Sequence, residues 1–600
     1  MRTTFFGLNI GAKGLAAQQR ALDVTGHNIA NANTVGYTRQ DIVMQSDTPV
    51  KTSSGFVGTG VKVTDIRRMR DNYLDLQYRT ENKFMGYWNF KDNTLQKIEL
   101  IINEPSDGGL RTTMDRFWGA WEDLSRKPES SAVRTTVIET GQAVVETFNH
   151  MDRQFSELRD DIDNSINVNI REVNSIALQV RDLNYQILKG EAQGPKANDL
   201  RDKRDLLLDQ MAEIIDIEVI EDKWGSTTIT IGGRAIVAGN VINEVASRPD
   251  AENDALTKIL WADGTEVNIR SGQLKGMLEA RDEIVVDFMD KLDKMAYSFA
   301  LKLNEVHSQG FHIAENVAIL NNYQGYTHGV KLDASSQISI NGSNNILSFK
   351  IDGNATAVNI TLDTGNYNTD DLVTEINTQL EEGSHTVKAY NVNGAIRLVS
   401  TTVGDDTKSK ISSVAIDYSE SDNAANTLGF YATASAGQEA EFQGKAVSFF
   451  TVTDELSGFS AANITINKDV KNQVALLAVA VNAPYNGVED IKGDGGNSLN
   501  IAMLKYDNSM IDGATFDDYY RSETAKLGIK AREATRMVEN QGLLINQLEN
   551  KREMVMGVSL DEEMTNMIRF QHAYNSAARY ITAVDQMLDT LINRVGLAGR

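Results

Sequence analysis

Near the end of the chain, Met567, Phe570, Tyr574, Ala577, Ile581, Val584, Leu588, Leu591 and Val595 follow alternating steps of three and four without a miss. That is the heptad seam of a coiled coil over four repeats, so the C-terminus is committed to one long helix with a partner along one face. Proline does not interrupt it: there are 6 in 600 residues, the last at Pro484. At the other end Leu8, Leu15, Leu22 and Ile29 recur every seven residues among Gly11, Ala12, Gly14, Ala16, Ala17 and Ala21. Gly11 and Gly14 weaken an isolated helix, by about 1 kcal/mol each relative to alanine, and the small residues together let a partner approach closely. Two seams at opposite ends of a long chain predict that the ends meet. The weak first helix further predicts that both ends are largely unfolded in the free monomer and order when more copies add contacts.

Between the seams the pattern is helical over about 67–102, 108–126, 131–189 and 197–215. The first helix stops in HNIANANTVGYTRQ, where Asn31, Asn33 and Gly36 supply turn chemistry, and 37–66 reads as extended. From Ile217 the runs IEVIED, STTITIGG, RAIVAGN, LTKILWADG and TEVNIRS predict a small sheet, followed by one long helix over about 273–307. From about 315 to 490 the composition shifts to Asn, Ser, Thr, Gly and Asp, with short strands and one helix capped by Thr369 ahead of Asp370 and Asp371. Helices return over about 515–557 and 560–595. The fold class expected is multidomain α+β: terminal helices in an N/C coiled coil, a long-helix bundle rod, and inserted mainly-β outer domains. The expected divisions are 1–66 (N-terminal helix and connector), 67–216 (rod, first part), 217–314 (small β segment and return helix), 315–497 (β insert), 498–557 (rod, last part) and 558–600 (C-terminal helix).

Charge narrows the functions available. With 59 Lys plus Arg against 83 Asp plus Glu, 59 − 83 = −24, so the surface repels phosphate backbones and anionic lipid. No run of about 18 apolar residues exists, so no membrane insertion is expected, and MRTTFFGLNIGAKGL does not read as a signal peptide. The absence of cysteine removes disulfides and thiolate sites. There is no HExxH and no GxxxxGK[ST] motif. His307 and His312 lie five apart without a third ligand and read as ordinary histidines; Asp490 and Asp494 in DIKGDGGNSLN lack the final ligand of an EF-hand. Neither an enzyme nor a cofactor or metal is expected.

The stretch NIANANTVGYTRQ (Asn28 to Gln40) resembles the N-terminal motif of bacterial flagellar axial proteins, the family of rod, hook and hook-associated proteins. SLDEEMTNMIRFQHAYNSAARYITAVDQMLDTLINRV resembles their C-terminal motif. FWGAWEDLSRKPESSAVRTTVI (117–138), NDLRDKRDLLLDQMAEIIDIEV (198–219) and GQLKGMLEARD (272–282) narrow the likeness to hook-associated members at the junction of hook and filament, and 336–430 resembles a β repeat inserted in hook and filament proteins. The resemblance implies type III export and a structural role outside the cell. It also implies axial packing of terminal helices, and as partners further copies of the chain, the hook protein, a second junction protein and an export chaperone on about 560–595. It places the connection out of the inner tube at Asn28, Asn31, Asn33, Gly36 and Tyr37. Val35 stands where relatives often carry proline. The alternative is an adhesin carried by the exposed β insert.

Overall fold

The protein is described here from a computed structural model that covers the chain except residues 1–4, 53–54, 103–108, 193, 252, 314–325, 329–336, 352–356, 384, 386, 393–394, 401–413, 417–447, 454–458, 482–490 and 591–600. Helix α1 (Phe6–Ala30) leads into strands β1 (Gln40–Ser46), β2 (Val50–Thr52), β3 (Gly55–Val57) and β4 (Val61–Arg68). Four helices follow: α2 (Asn72–Ile102), α3 (Leu110–Arg126), α4 (Ser131–Glu191) and α5 (Asn198–Ile214). Next come β5 (Ile217–Glu221), β6 (Thr227–Ile231), β7 (Arg234–Ala238), β8 (Val241–Ile242), β9 (Val245–Pro249) and β10 (Thr257–Trp261), then α6 (Gln273–Glu279) and α7 (Val285–Gln309). Short strands β11 (Tyr326–His328), β12 (Ile338–Ile340), β13 (Ile346–Ile351), β14 (Val358–Thr361) and β15 (Gly365–Tyr367) precede α8 (Thr369–Glu382). After it lie β16 (Val387–Val392), β17 (Ala395–Ser400), β18 (Val414–Ile416), β19 (Phe450–Val452), β20 (Ile464–Ile466) and α9 (Lys468–Asn472). The chain closes with α10 (Gly496–Met503), α11 (Phe516–Met556) and α12 (Leu560–Asp589).

The contacts divide the chain into two compact units: Met1–Lys97, Leu158–Val285 and Gly528–Arg600 in one, Ile98–Glu157 and Val286–Leu527 in the other. The 61-residue α4 contributes to both. It has no internal proline, and Val144, Phe148, Met151, Phe155, Leu158, Ile162 and Ile166 stay buried at steps of three and four, so one apolar stripe holds it against its neighbours. In the first unit β5–β8 form an antiparallel four-stranded sheet, and β1 pairs with β4 around a bulge between Val43 and Met44.

The second unit centres on aromatic rings. Phe117, Trp121, Phe299, Phe449 and Phe450 are all buried, with Phe299 and Phe450 centroids 5.1 Å apart. The fully buried Arg134 donates to the carbonyls of Pro128 and Leu477, at 2.9 and 3.0 Å. His307 is buried and its Nε2 accepts the Ala478 amide at 3.1 Å, while Asp494 accepts the amides of Val481 and Gly496. Within the same unit α8 and the surrounding strands form a separate core of Ile340, Leu347, Phe349, Leu372, Ile376 and Leu398.

Three local expectations are corrected. The helix expected over 273–307 is interrupted by a π turn at Ala280–Ile284, where the buried Arg281 reaches Asp163 Oδ1 at 2.5 Å and the Thr257 carbonyl at 2.8 Å. TEVNIRS is not a strand: it makes one bridge, Leu260 to Glu266, flanked by the Val267 amide donating to the Ile259 carbonyl at 3.2 Å, then leaves β10 and buries Ile269. Asn368, not Thr369, caps α8, its side chain accepting the Asp371 amide at 2.8 Å.

Asp293 in α7 accepts the Ala461 amide at 2.7 Å. Burial, then the charges of Asp152 and Asp290, raise its pKa to about 6 against the opposing Ala461 bond. A carboxyl with a raised folded pKa supports the fold below its unfolded pKa and loses that support as pH rises through the folded value. Asp293→Asn keeps an acceptor for Ala461 without the charge. After allowance for solvent screening it is expected to stabilise the unit by about 1–2 kcal/mol at pH 7.5 and by almost nothing at pH 4. Thermal melts at the two pH values check this; equal shifts at both would rule out the titration.

Candidate assembly interface

Helices α1 and α12 lie antiparallel. A Cβ built on Gly7 would meet Tyr580 Oη at 3.2 Å and Val584 at 3.5 Å. One on Gly11 would lie 2.6 Å from Ile581 Cγ1, and one on Gly14 3.9 Å from Ala577 Cβ. At the far end Asn28 Nδ2 reaches Glu563 Oε2 at 3.1 Å. The face of α1 turned to α12 thus follows steps of four and three through Gly7, Gly11, Gly14, Gln18, Ala21, Thr25 and Asn28, small except at Gln18 and Asn28, and Gly11, Ala21, Thr25 and Asn28 are buried. Leu8, Leu15, Leu22 and Ile29 sit one position further, about 100° round the helix, and are half-buried. On α12, Met567, Phe570, Tyr574, Ala577, Ile581 and Val584 are half-buried and Leu588 is buried. Leu591 and Val595 fall outside the described residues.

Glu563 precedes Met567 by four residues and so continues the α12 seam, yet it is a carboxylate only 2% exposed. Asn28 occupies the matching place on the small stripe. Asn28 Nδ2 also donates to the Gln40 carbonyl at 2.9 Å, and its Oδ1 accepts from Tyr37 Oη at 2.7 Å and the Gln40 amide at 3.0 Å. Arg39 closes the set, reaching Glu563 Oε1 at 2.7 Å and Glu562 Oε2 at 2.8 Å, while its amide donates to the Met556 carbonyl at 2.8 Å. Burial favours neutral Arg39, but the bonds and charges of Glu563 and Glu562 outweigh it and raise its pKa. Burial, then the charges of Asp199, Asp202 and Glu563, push the Tyr37 hydroxyl well above its usual range, so it stays a donor. A polar layer in an otherwise apolar seam penalises any slip that would unpair it, so this one fixes the register of α1 on α12.

The turn between these partners is shaped for them. Gly36 has φ +79°, and a Cβ there would lie 3.2 Å from Leu206. Asn31 Nδ2 donates to the His27 carbonyl at 3.0 Å and its Oδ1 accepts from Thr34 Oγ at 3.2 Å. Asn33 is exposed and Val35 is 81% exposed.

Below the turn, four arginines meet four aspartates. Arg68 and Arg70 lie at and just beyond the end of β4, Asp75 and Arg79 on α2, Asp202, Asp205 and Asp209 on one face of α5, and Arg552 on α11. Asp205 meets Arg68 at 2.6 Å, Arg70 at 3.3 Å and Arg79 at 3.6 Å; Asp209 meets Arg79 and Arg552, each at 2.7 Å. Asp75 pairs with Arg70 and with Arg552, and Asp202 accepts from Arg68 and the Thr38 amide, each at 2.9 Å. Burial opposes ionisation of Asp205, but Arg70, Arg68 and Arg79 overcome it and lower its pKa. Neither Glu563 nor this cluster was among the residues expected from sequence. The signals were Glu563 in seam phase and the spacing 202, 205, 209, which puts three acids on one helical face.

The chain aligns with proteins named flagellar hook-associated protein 1 along its whole length. The Bacillus subtilis protein is 28% identical over 100% of both chains, and the Escherichia coli protein 26% identical over 98% of this chain and 99% of its own. Over its full length the chain is similar to flagellar hook-associated protein 1. Residues 95–319 match the family's helical domain, described as "Flagellar hook-associated protein FlgK helical domain". Residues 8–38 match "Flagella basal body rod protein" and 555–594 match "Flagellar basal body rod FlgEFG protein C-terminal". The last two matches cover most of α1 and all of α12. A solved structure titled as the flagellar hook junction protein FlgK from Burkholderia pseudomallei aligns with 80% of this chain and 99% of its own, at TM-score 0.48 and 14% identity. Members of the family are structural components of the bacterial flagellum.

Proposed function

We propose that this chain is a non-enzymatic junction protein that joins the flagellar hook to the filament, through a second junction protein, by packing its terminal helices with those of further copies. The observation that carries the reading is the α1–α12 pair itself. Its glycine stripe and its Asn28–Glu563–Arg39 layer define one register, while Leu8, Leu15, Leu22 and Ile29 stay half-buried and Leu560, Met564 and Ile568 are each more than 50% exposed. Apolar surface left along a two-helix pair suits a position among other helices. Among the described α12 seam residues only Leu588 is buried, which supports ordering of the ends by neighbouring copies. Asn31, Asn33, Gly36 and Tyr37 shape the exit from that layer. The hook protein below, the second junction protein above and an export chaperone on about 560–595 complete the set of partners, and type III export delivers the chain to the outside of the cell.

Ile581→Asp puts a charge where Gly11 leaves no room for water and is expected to abolish filament attachment, leaving hooks without filaments and flagellin in the medium. The inserted β region around Phe349 is expected to keep its thermal melt. Cells that carry normal filaments with this substitution would overturn the reading.

A further inference from the structure

A cleft of about 490 Å³ opens in the first unit between the 32–37 turn, α5 and the α11–α12 junction. Its walls carry Val35, Tyr78, Glu213, Glu549 and Glu553, together with Arg70, Arg552 and Asp209 of the ion cluster. Those two arginines are already committed to Asp75, Asp205 and Asp209. Glu213, Glu549 and Glu553 have no ion-pair partner among the described residues; Glu549 accepts only from Tyr78, at 3.3 Å. The walls register the surplus: burial, then Glu549 and Asp209, push the Tyr78 hydroxyl up to about 12, and burial with Glu172 raises Glu213. Val35, one of the lining residues, is 81% exposed. The cleft therefore fits an occupant that brings a cation beside an apolar group.

The chain carries one. In the β2–β3 hairpin Lys51 pairs directly across from Phe56, which is 71% exposed, and Val50 beside it is 50% exposed. Lys51 has no ion-pair partner among the described residues. The hairpin base is fastened to α1 at Lys13, which meets Asp47 at 2.6 Å, whereas the cleft begins at Ala32. Those points lie about 28 Å apart along α1 at 1.5 Å per residue. The segment from Asp47 to Thr52, of which Val50–Thr52 is strand, reaches at most about 18 Å even when fully extended, so the hairpin falls short of the cleft of its own chain.

We propose that the β2–β3 hairpin of one copy docks through Lys51 and Phe56 into the acidic cleft of a second copy. The contact is head-to-tail, because donor and acceptor are different surfaces of one chain, and repetition of such a contact produces a ring or a helical row. The inference rests on the reading that copies assemble through their terminal regions. The chain has no cysteine of its own, so any disulfide it forms must use an introduced one. Phe56→Cys combined with Val35→Cys, both at exposed positions, is expected to give a ladder of covalent multimers on oxidation, and either single variant none. Lys51→Glu is expected to reduce incorporation, and Glu549→Lys in the same chain to restore it. No ladder in the double variant, or equal ladders in the single ones, overturns the hairpin contact; retained filament attachment in that case leaves the junction reading intact.

Discussion

Asp205→Ala is expected to destabilise the first unit by about 3–5 kcal/mol, the range for removing one partner of a buried ion pair. Three guanidinium groups lie within 3.6 Å of this carboxylate, and the side chains of Arg68, Arg70 and Arg79 are at most 14% exposed. Without Asp205 the cluster holds four cations and three anions with little access to solvent. For a unit of this size each kcal/mol moves the melting temperature by about 2–4 °C, so a drop on the order of 10 °C is expected in a circular-dichroism melt. Because the arginines lower the Asp205 pKa, its contribution is present above the ordinary carboxylate range and is lost as pH falls through the folded value. The gap between parent and variant therefore narrows on acidification. A melt unchanged at neutral pH would mean that the cluster relaxes around its own net charge.

Gly11→Leu is expected to remove filaments from the cell, while Gly14→Ala keeps them. At Gly11 even a methyl group would stand 2.6 Å from Ile581 and 3.0 Å from the Tyr580 ring. Leucine adds three more carbons, so α1 must lift away from α12, and forced overpacking of this kind costs about 1–3 kcal/mol or more in each copy. At Gly14 the nearest atom is 3.9 Å away, an ordinary contact, and alanine favours the helix by about 1 kcal/mol. The milder Gly11→Ala is expected to be rescued by Ile581→Ala, which empties the space that the new methyl group needs. Electron microscopy of filament number decides the matter. Wild-type filaments on Gly11→Leu cells, or Gly14→Ala as harmful as Gly11→Leu, would show that the close approach is not what attaches them.

The contrast between these glycines also shows what could be read from the sequence. The α12 stripe announces itself because Phe570, Ile581 and Leu588 stand out against polar neighbours. The facing stripe of α1 has no such contrast: glycine and alanine carry almost no hydrophobic signal, and the leucines that do lie about 100° away round the helix. The 117–138 motif was recognisable before its meaning was; in the fold it supplies Phe117 and Trp121 to an aromatic core and Arg134 to a set of backbone carbonyls. The π turn at Ala280–Ile284 depends on Asp163, more than a hundred residues away, and no local pattern contains that information. TEVNIRS failed for the opposite reason, since alternation shows that a segment suits an edge but not that an edge is free. Asp202, Asp205 and Asp209 were visible as a spacing, but their purpose appears only when arginines from three other segments arrive.

The pairing of α1 with α12 has a further consequence for manufacture. Among the described residues the glycine stripe of the first helix packs on α12, the thirty residues up to Asp589, so a copy broken off anywhere ahead of Leu560 is expected to have a glycine groove with nothing to lie in it. Such a fragment can fold its middle and still offer no finished end to the growing structure.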